Sequence, residues 1–183
     1  MRKIILDLAV TVDSLIEGPN GEYDWCILDE ESGLESFLES IDTIFYGRVS
    51  YELFGNYQPD EQAPPLFKSL FQAVHSKQKY VFSKSSKGDG KATFINDGDI
   101  VKAVEQIRQQ PGKDIWLYGG ASLLTTFMKL GLVDEYRLAV HPLILGGGKQ
   151  LFADLKGRVE LELKKTNVAR SGVVQLIYAA KRP

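Results

Sequence analysis

Two apolar runs end on glycine and pass at once into residues that start helices. One is Gly47-Arg48-Val49-Ser50-Tyr51-Glu52, the other Gly119-Gly120-Ala121-Ser122. Glycine lets the backbone turn sharply, and the first amides of a following helix have no intrahelical acceptor. Such amides can hold an anion, and the helix dipole adds about 0.3–1 kcal/mol. G-G-x-S is a weaker signal than G-x-G-x-x-G, so either motif alone is equally explained by close helix–strand packing with Ser50 or Ser122 as a cap. Together, on neighbouring strands, they favour a site for the two ends of a pyrophosphate-linked ligand. A third strand end, Ser83-Lys84-Ser85-Ser86, offers hydroxyls and an ammonium. By itself it reads as a solvated turn. With Arg48 it fits the extra phosphate that separates NADP from NAD.

The acidic and aromatic candidates lie near the N-terminus. Thr11 to Gly18 leaves the first strand and enters the turn-rich GPNGEYDW. A long loop carrying Trp25 suits a lid that excludes water from a bound substrate, and Asp13 is the carboxylate expected at its mouth. Asp29, Glu30 and Glu31 read as a solvated helix start, and Glu52 as a capping or packing carboxylate. His141, in an apolar strand, reads as a satisfied core residue. Gly146-Gly147-Gly148 before Lys149 has the composition of a phosphate nest, but its place between antiparallel strands favours a bulge or wide turn.

Composition narrows the chemistry. The 183 residues suffice for one domain with a real core, and 44% hydrophobic with 25% charged content is that of a globular protein. A net charge of −2 offers no footprint for nucleic acid, and no apolar stretch approaches a membrane span. The opening run is broken by Asp7 and reads as a strand, not a signal peptide. One cysteine, Cys26, excludes an internal disulfide and points to a reducing, cytoplasmic setting. Cys26, His75 and His141 lack metal-ligand spacing, the zinc deaminase motif is missing, and there is no G-x-S-x-G. Metal-independent chemistry, or none, remains.

These residues must be positioned by strands expected at 3–12, 42–47, 79–84, 114–119, 135–145, 159–168 and 173–181, with 92–97 as a weaker candidate. Helical patterns fall at 34–41, 50–55, 64–75, 99–110 and 121–131. In the fourth, Ile100, Val101, Val104 and Ile107 share one face, Asp97 or Asp99 can cap it, and Pro111-Gly112 stops it. Strands and helices alternate to about residue 131, then only strands follow. That order implies one α/β domain with a mostly parallel sheet and an antiparallel extension, with Ser171-Gly172 turning the last hairpin. KSSKGDGK (84–91) reads as a surface loop.

The succession LAVTVDSLIEG, IFYGRVSYE, YVFSKS, WLYGGASLL and GLVDEYRLAVHPLILGGGKQLF resembles the dihydrofolate reductase-like family, and within it stand-alone proteins similar to the C-terminal reductase domain of bacterial riboflavin biosynthesis. The resemblance covers nearly the whole chain. It implies a three-layer α/β fold, a mixed and mostly parallel central sheet with an antiparallel C-terminal strand, and helices on both faces. It also implies NADPH as cofactor, a small-molecule substrate and a homodimer. Carried over residue by residue, Gly47, Arg48, Val49 and Ser50 would hold the adenosine-side phosphates, and Ser83 and Lys84 the 2′-phosphate. Gly119, Gly120, Ala121, Ser122 and Leu123 would wrap the pyrophosphate, where a side chain at Gly120 would fill space the phosphates need. Ala9, Leu15 and Ile16 would lie against the nicotinamide and its ribose, and Tyr118 would border nicotinamide and substrate, with Trp25 on the substrate side. The expected activity is hydride transfer to a C=N or C=O of a small heterocyclic or sugar-derived substrate, with Asp13 or Tyr118 delivering the proton. The acidic D-x-P-x-L-T-x-R stretch of riboflavin reductases is replaced by YELFGNYQPD, and CILDEESG departs from the loop carboxylate motif of dihydrofolate reductases. The substrate therefore stays open. So do two other readings: a nucleotide-binding or sensor protein without catalysis, and a structural homodimer built on 135–145 and 173–181.

Overall fold

A computed structural model describes residues 1–28, 31, 33–84, 88–96 and 98–181. Asp29, Glu30, Ser85, Ser86 and Asp97, singled out above, lie outside the described residues. The β-branched and aromatic runs form β1 (Ile4–Thr11), β3 (Ile41–Gly47), β4 (Gln78–Phe82), β5 (Thr93–Ile95), β6 (Asp114–Gly119), β7 (Glu135–His141), β9 (Leu161–Val168) and β10 (Val174–Ala180). They make one eight-stranded sheet ordered β5-β4-β3-β6-β1-β7-β10-β9. The pairings from β5 to β7 are parallel, whereas β10 runs antiparallel to both β7 and β9. The expected mixed sheet with an antiparallel C-terminal strand is therefore present.

Helices α1 (Leu34–Ser40), α2 (Arg48–Ser50), α3 (Pro65–His75), α4 (Ile100–Gln109) and α5 (Ala121–Lys129) are distributed over both faces. On one face α4 and α5 drive Val104, Ile107, Leu124 and Phe127 onto Ile4, Leu6, Phe45 and Leu117. On the other, α1 and α3 drive Phe37, Phe71 and Val74 onto Ile5, Ile44, Val81 and Trp116. The two-residue period of the strands sorts these side chains, and each fully buried Leu, Ile or Phe contributes about 1.5–3 kcal/mol. The Asp99 carboxylate caps α4 by accepting from the Lys102 amide at 3.0 Å, and Pro65 opens α3 at a position where its missing N–H costs nothing.

Three local features differ from the sequence expectation. The strand expected over 135–145 ends at His141, because Pro142 cannot donate to the ladder. The chain then passes Gly146–Gly148 into β8 (Lys149–Gln150), which pairs antiparallel with β2 (Leu15–Glu17) in a separate small sheet. Of the two readings of the glycine run, bulge or wide turn, it is the turn, and it leads into this second sheet. The expected helix 50–55 is instead a π-helical turn, Tyr51–Gly55, following α2. Gly55 makes it possible, since a Cβ there would meet the Tyr51 ring at 2.7 Å and the Tyr46 ring at 3.0 Å.

Polar groups close the amino ends of the strands. Buried Arg2 pairs with Asp42 and donates to the Lys113 carbonyl and Thr43 Oγ1, both at 2.5 Å. Arg108, also buried, donates to the Arg2 carbonyl at 3.1 Å and to Asp134 at 2.9 Å. This end of the sheet is a structural lock, leaving the carboxyl ends free for a ligand.

Candidate functional site

The site begins where β1 and β6 part. β1 stays paired with β7 as far as Thr11↔His141, but its ladder with β6 stops at Leu6↔Leu117. Trp116 Nε1–H donates to the Asp7 carbonyl at 2.9 Å just beyond that point. The carboxyl ends of β1 and β6 are therefore separated, and the crevice between them opens beside Ala9 and Gly119.

The two glycine motifs stand next to each other, because β3 and β6 are neighbours. Gly119 and Gly120 both take positive φ, 90° and 115°. They do so for different reasons. A Cβ at Gly119 would strike Leu124 at 2.4 Å, so that glycine serves helix packing, whereas at Gly120 it would come 2.9 Å from Ser50 Oγ, across the gap between the strand ends. The Leu123 and Leu124 amides bond to the Gly120 carbonyl, leaving the Ala121 and Ser122 amides as the turn's outward donors. Leu123 turns its side chain into the core at 8% exposure, so only its backbone borders the crevice. After Gly47 the α-helix lasts only three residues, and the charge there comes from Arg48, exposed and paired with Glu52 at 2.7 Å. Val49 is exposed beside it. Ser83, half-buried, continues from β4 with its amide on the Ile95 carbonyl at 3.1 Å, and Lys84 is exposed.

The loop after β1 is fixed by Asp13. Its carboxylate accepts from Thr11 Oγ1 at 2.5 Å, from the Gly146 amide at 2.8 Å and from the Leu145 amide at 3.3 Å. The Thr11 hydrogen bond, then that of Gly146, holds the carboxyl below the usual range. This is a clamp between the loop and the glycine turn. It leaves Asp13 as an anion already supplied with donors. Leu15 is buried and Ile16 packs on the core, both within β2. Trp25 is half-buried and packs edge-on against His141 with ring centroids 5.3 Å apart. His141, 3% exposed, has Nδ1 on the Ala139 carbonyl at 2.9 Å. Its Nε2 and Trp25 Nε1 are buried with no hydrogen-bond partner among the described residues. Glu31 pairs with Arg170 on the β9–β10 hairpin.

One face of the sheet collects these groups. Asp7, Ala9 and Thr11 on β1 stand beside Arg137, Ala139 and His141 on β7, followed by Ile177 and Gln175 on β10. Tyr118 flanks them from β6, stacked on Phe54 with centroids 4.3 Å apart; burial, then Tyr23 and Cys26, pushes its phenol well up. Arg137 lies 4.9 Å over the Phe37 ring and donates to Glu135 at 2.6 Å. Asp7 and Arg137 escape motif reading. The available signal was a lone carboxylate in an apolar strand, two residues from Ala9 and hence on its face.

The fold so assembled is dihydrofolate reductase-like. Residues 2–175 match the family described as the RibD C-terminal domain, and the chain belongs to that family. It is 56% identical over 178 residues to the uncharacterized protein YyaP of Bacillus subtilis (strain 168), spanning 97% of this chain and 94% of that protein. Its structure is similar to that of a Shewanella sp. PV-4 protein whose name links it to riboflavin biosynthesis, with TM-score 0.79, 22% identity and full coverage of both chains. A pyrimidine reductase-like protein from Corynebacterium diphtheriae superposes with TM-score 0.72 at 15% identity, covering 100% of this chain and 93% of that one. Family membership supports a reductase-type function. No described helix is long and apolar enough to cross a membrane, and no described group of three or more His, Cys, Asp or Glu could hold a metal ion.

Proposed function

We propose that the protein is an NADPH-dependent reductase that transfers a hydride to a C=N or C=O of a small heterocyclic or sugar-derived substrate, in a reducing cytoplasm. The observation that carries this reading is the parting of β1 and β6 after Leu6↔Leu117, at the sheet end where the two glycine strand ends stand side by side. The residues fit the cofactor. Gly120 lets the turn approach Ser50, whose hydroxyl would meet a Cβ there at 2.9 Å, and the Ala121 and Ser122 amides at the start of the helix would donate to a pyrophosphate. Gly47, Val49 and Ser50 would border the adenosine side, with Arg48, Ser83 and Lys84 around the 2′-phosphate. Ala9, Leu15 and Ile16 would support the nicotinamide, while Tyr118 and Trp25 would flank the substrate. NADPH would supply the hydride, and these residues would orient both partners and exclude water. We further propose a homodimer formed through the β7-β10-β9 end of the sheet.

Titration of tryptophan and NADPH fluorescence tests the cofactor assignment. Wild-type protein should bind NADPH at micromolar concentration. Arg48→Ala should weaken NADPH roughly ten- to a hundredfold more than NADH, in keeping with loss of a charge-assisted contact of about 1.5–3 kcal/mol. Equal weakening of both would remove Arg48 from the 2′-phosphate. NADPH binding without oxidation across pterins, ribosylaminopyrimidines and small carbonyls would favour the binding-only reading.

A further inference from the structure

Hydride transfer to a C=N or C=O carbon leaves the neighbouring heteroatom in need of a proton. Asp13, clamped by three hydrogen bonds, is poorly placed to give one. A different carboxyl stands on the cleft face. Asp7 shares the face of Ala9, is only partly exposed, and its carboxyl receives no hydrogen bond from another described residue. Beside it on β7 are Arg137 and Glu135, which neutralise one another through their 2.6 Å contact. Tyr118 flanks it on β6, with Tyr23 and Cys26 beyond, and His141 lies at the far end of the same face. From α1 comes the Phe37 ring, which covers Arg137. Burial dominates in this setting, opposed by Arg137 and reinforced by Glu135, and lifts the Asp7 carboxyl to about 7.

We propose that Asp7 is the proton donor of the cleft. The inference rests on the reductase reading, in which the nicotinamide lies against Ala9. Asp7 releases its proton to the nitrogen or oxygen of the bond being reduced. The carboxyl O–H bond breaks and an N–H or O–H bond forms, while the hydride of the reduced cofactor, with its electron pair, forms the new C–H bond. The C=N or C=O π bond opens, the cofactor ends oxidised, and the Asp7 carboxylate regains a proton from water. Its ionised form then faces a cationic ring, and its protonated form a neutral one. Asp7 is thereby also a sensor of which cofactor state is bound.

That second property gives a test needing no substrate. NADP+ and NADPH are titrated into wild type and Asp7→Asn between pH 5.5 and 9, following tryptophan quenching. In wild type the preference for NADP+ over NADPH should rise roughly three- to tenfold as the pH passes 7, the size of a screened charge–charge attraction. In Asp7→Asn the ratio should stay flat across this pH range. Carboxyl 13C NMR of wild-type protein should show one aspartate titrating near pH 7 that shifts to lower pH when NADP+ is added, a readout that survives if the variant does not fold. A pH-independent ratio in wild type, or no such aspartate resonance, would overturn the Asp7 assignment while leaving the cofactor reading standing. Absence of binding by both nucleotides would bring down the reductase reading and this inference with it.

Discussion

At the scale of single residues, Asp7 has a thermodynamic cost that can be measured without any ligand. Its folded carboxyl titrates near 7 and its unfolded one near 3.8. Between those values the folded chain holds a proton that the unfolded chain has lost. Stability therefore falls as pH rises from about 4 to 7 and is constant above it. Asp7→Asn should raise stability by about 1–3 kcal/mol at pH 8, after allowance for solvent screening, and by almost nothing at pH 4. Calorimetry at the two pH values checks it; an equal gain at both would mean that the carboxyl is not held protonated in the folded state. The sequence exposed Asp7 as a charge in an apolar strand but not its neighbour, because the Asp7↔Arg137 register joins segments 130 positions apart and exists only once the sheet is ordered. The glycine pair was more readable. Two glycines in a row announced a turn, and the packing shows Gly119 yielding to Leu124 while Gly120 borders Ser50.

Among the elements, the smallest were the least legible. β2 and β8 are too short to carry a period, and each is an ordinary loop until paired with the other. Their pairing is what holds Ile16 and the loop after β1 in place, reinforced by the Lys149–Glu17 ion pair and by Asp13 on the glycine turn. Gly148 is the tightest point. It has φ 138°, and a Cβ would lie 2.1 Å from the Glu17 carbonyl oxygen. Gly148→Ala should therefore cost about 1–3 kcal/mol and release the small sheet. Hydrogen exchange should show lost protection at the Leu15 and Leu151 amides, with the large sheet unchanged and NADPH affinity reduced. Retained protection at those amides would mean that the turn relaxes without disturbing the loop. The long periodic elements were readable because amphipathic pattern and caps coincide, as in α4 with Asp99 and Pro111. The π turn was not, because it depends on Gly55 meeting the Tyr46 and Tyr51 rings brought together by tertiary packing.

For the whole molecule, the order of elements in the chain already implied the layered sheet, since strands alternating with helices become parallel and the strand-only tail must add at an edge. The consequence of that tail is an asymmetry in cover. Helices α4 and α5 lie over β3, β6 and β1, whereas the strands beyond β7 carry apolar residues that this layer only partly reaches. Leu138, Val140, Val174 and Leu176 are all partly buried on one face of β7 and β10. They continue onto β9 through Leu163, 53% exposed, and Val168, 76% exposed. Exposed apolar residues of this kind suit the proposed dimer, since a second copy of the same strands would present the same polarity. Lys164 and Lys165 on the outermost strand guard against open-ended edge pairing, which would favour face-to-face closure in the proposed dimer. Sedimentation velocity at micromolar concentration should give a dimer. Val168→Glu with Leu163→Glu should shift it to monomer, raising the dissociation constant at least about a hundredfold if each buried charge costs more than about 1.4 kcal/mol. Both side chains are exposed in the single chain, so the variant should keep its fold and its NADPH affinity. A monomeric wild type would overturn the dimer, and a double variant that still dimerises would move the interface away from these strands.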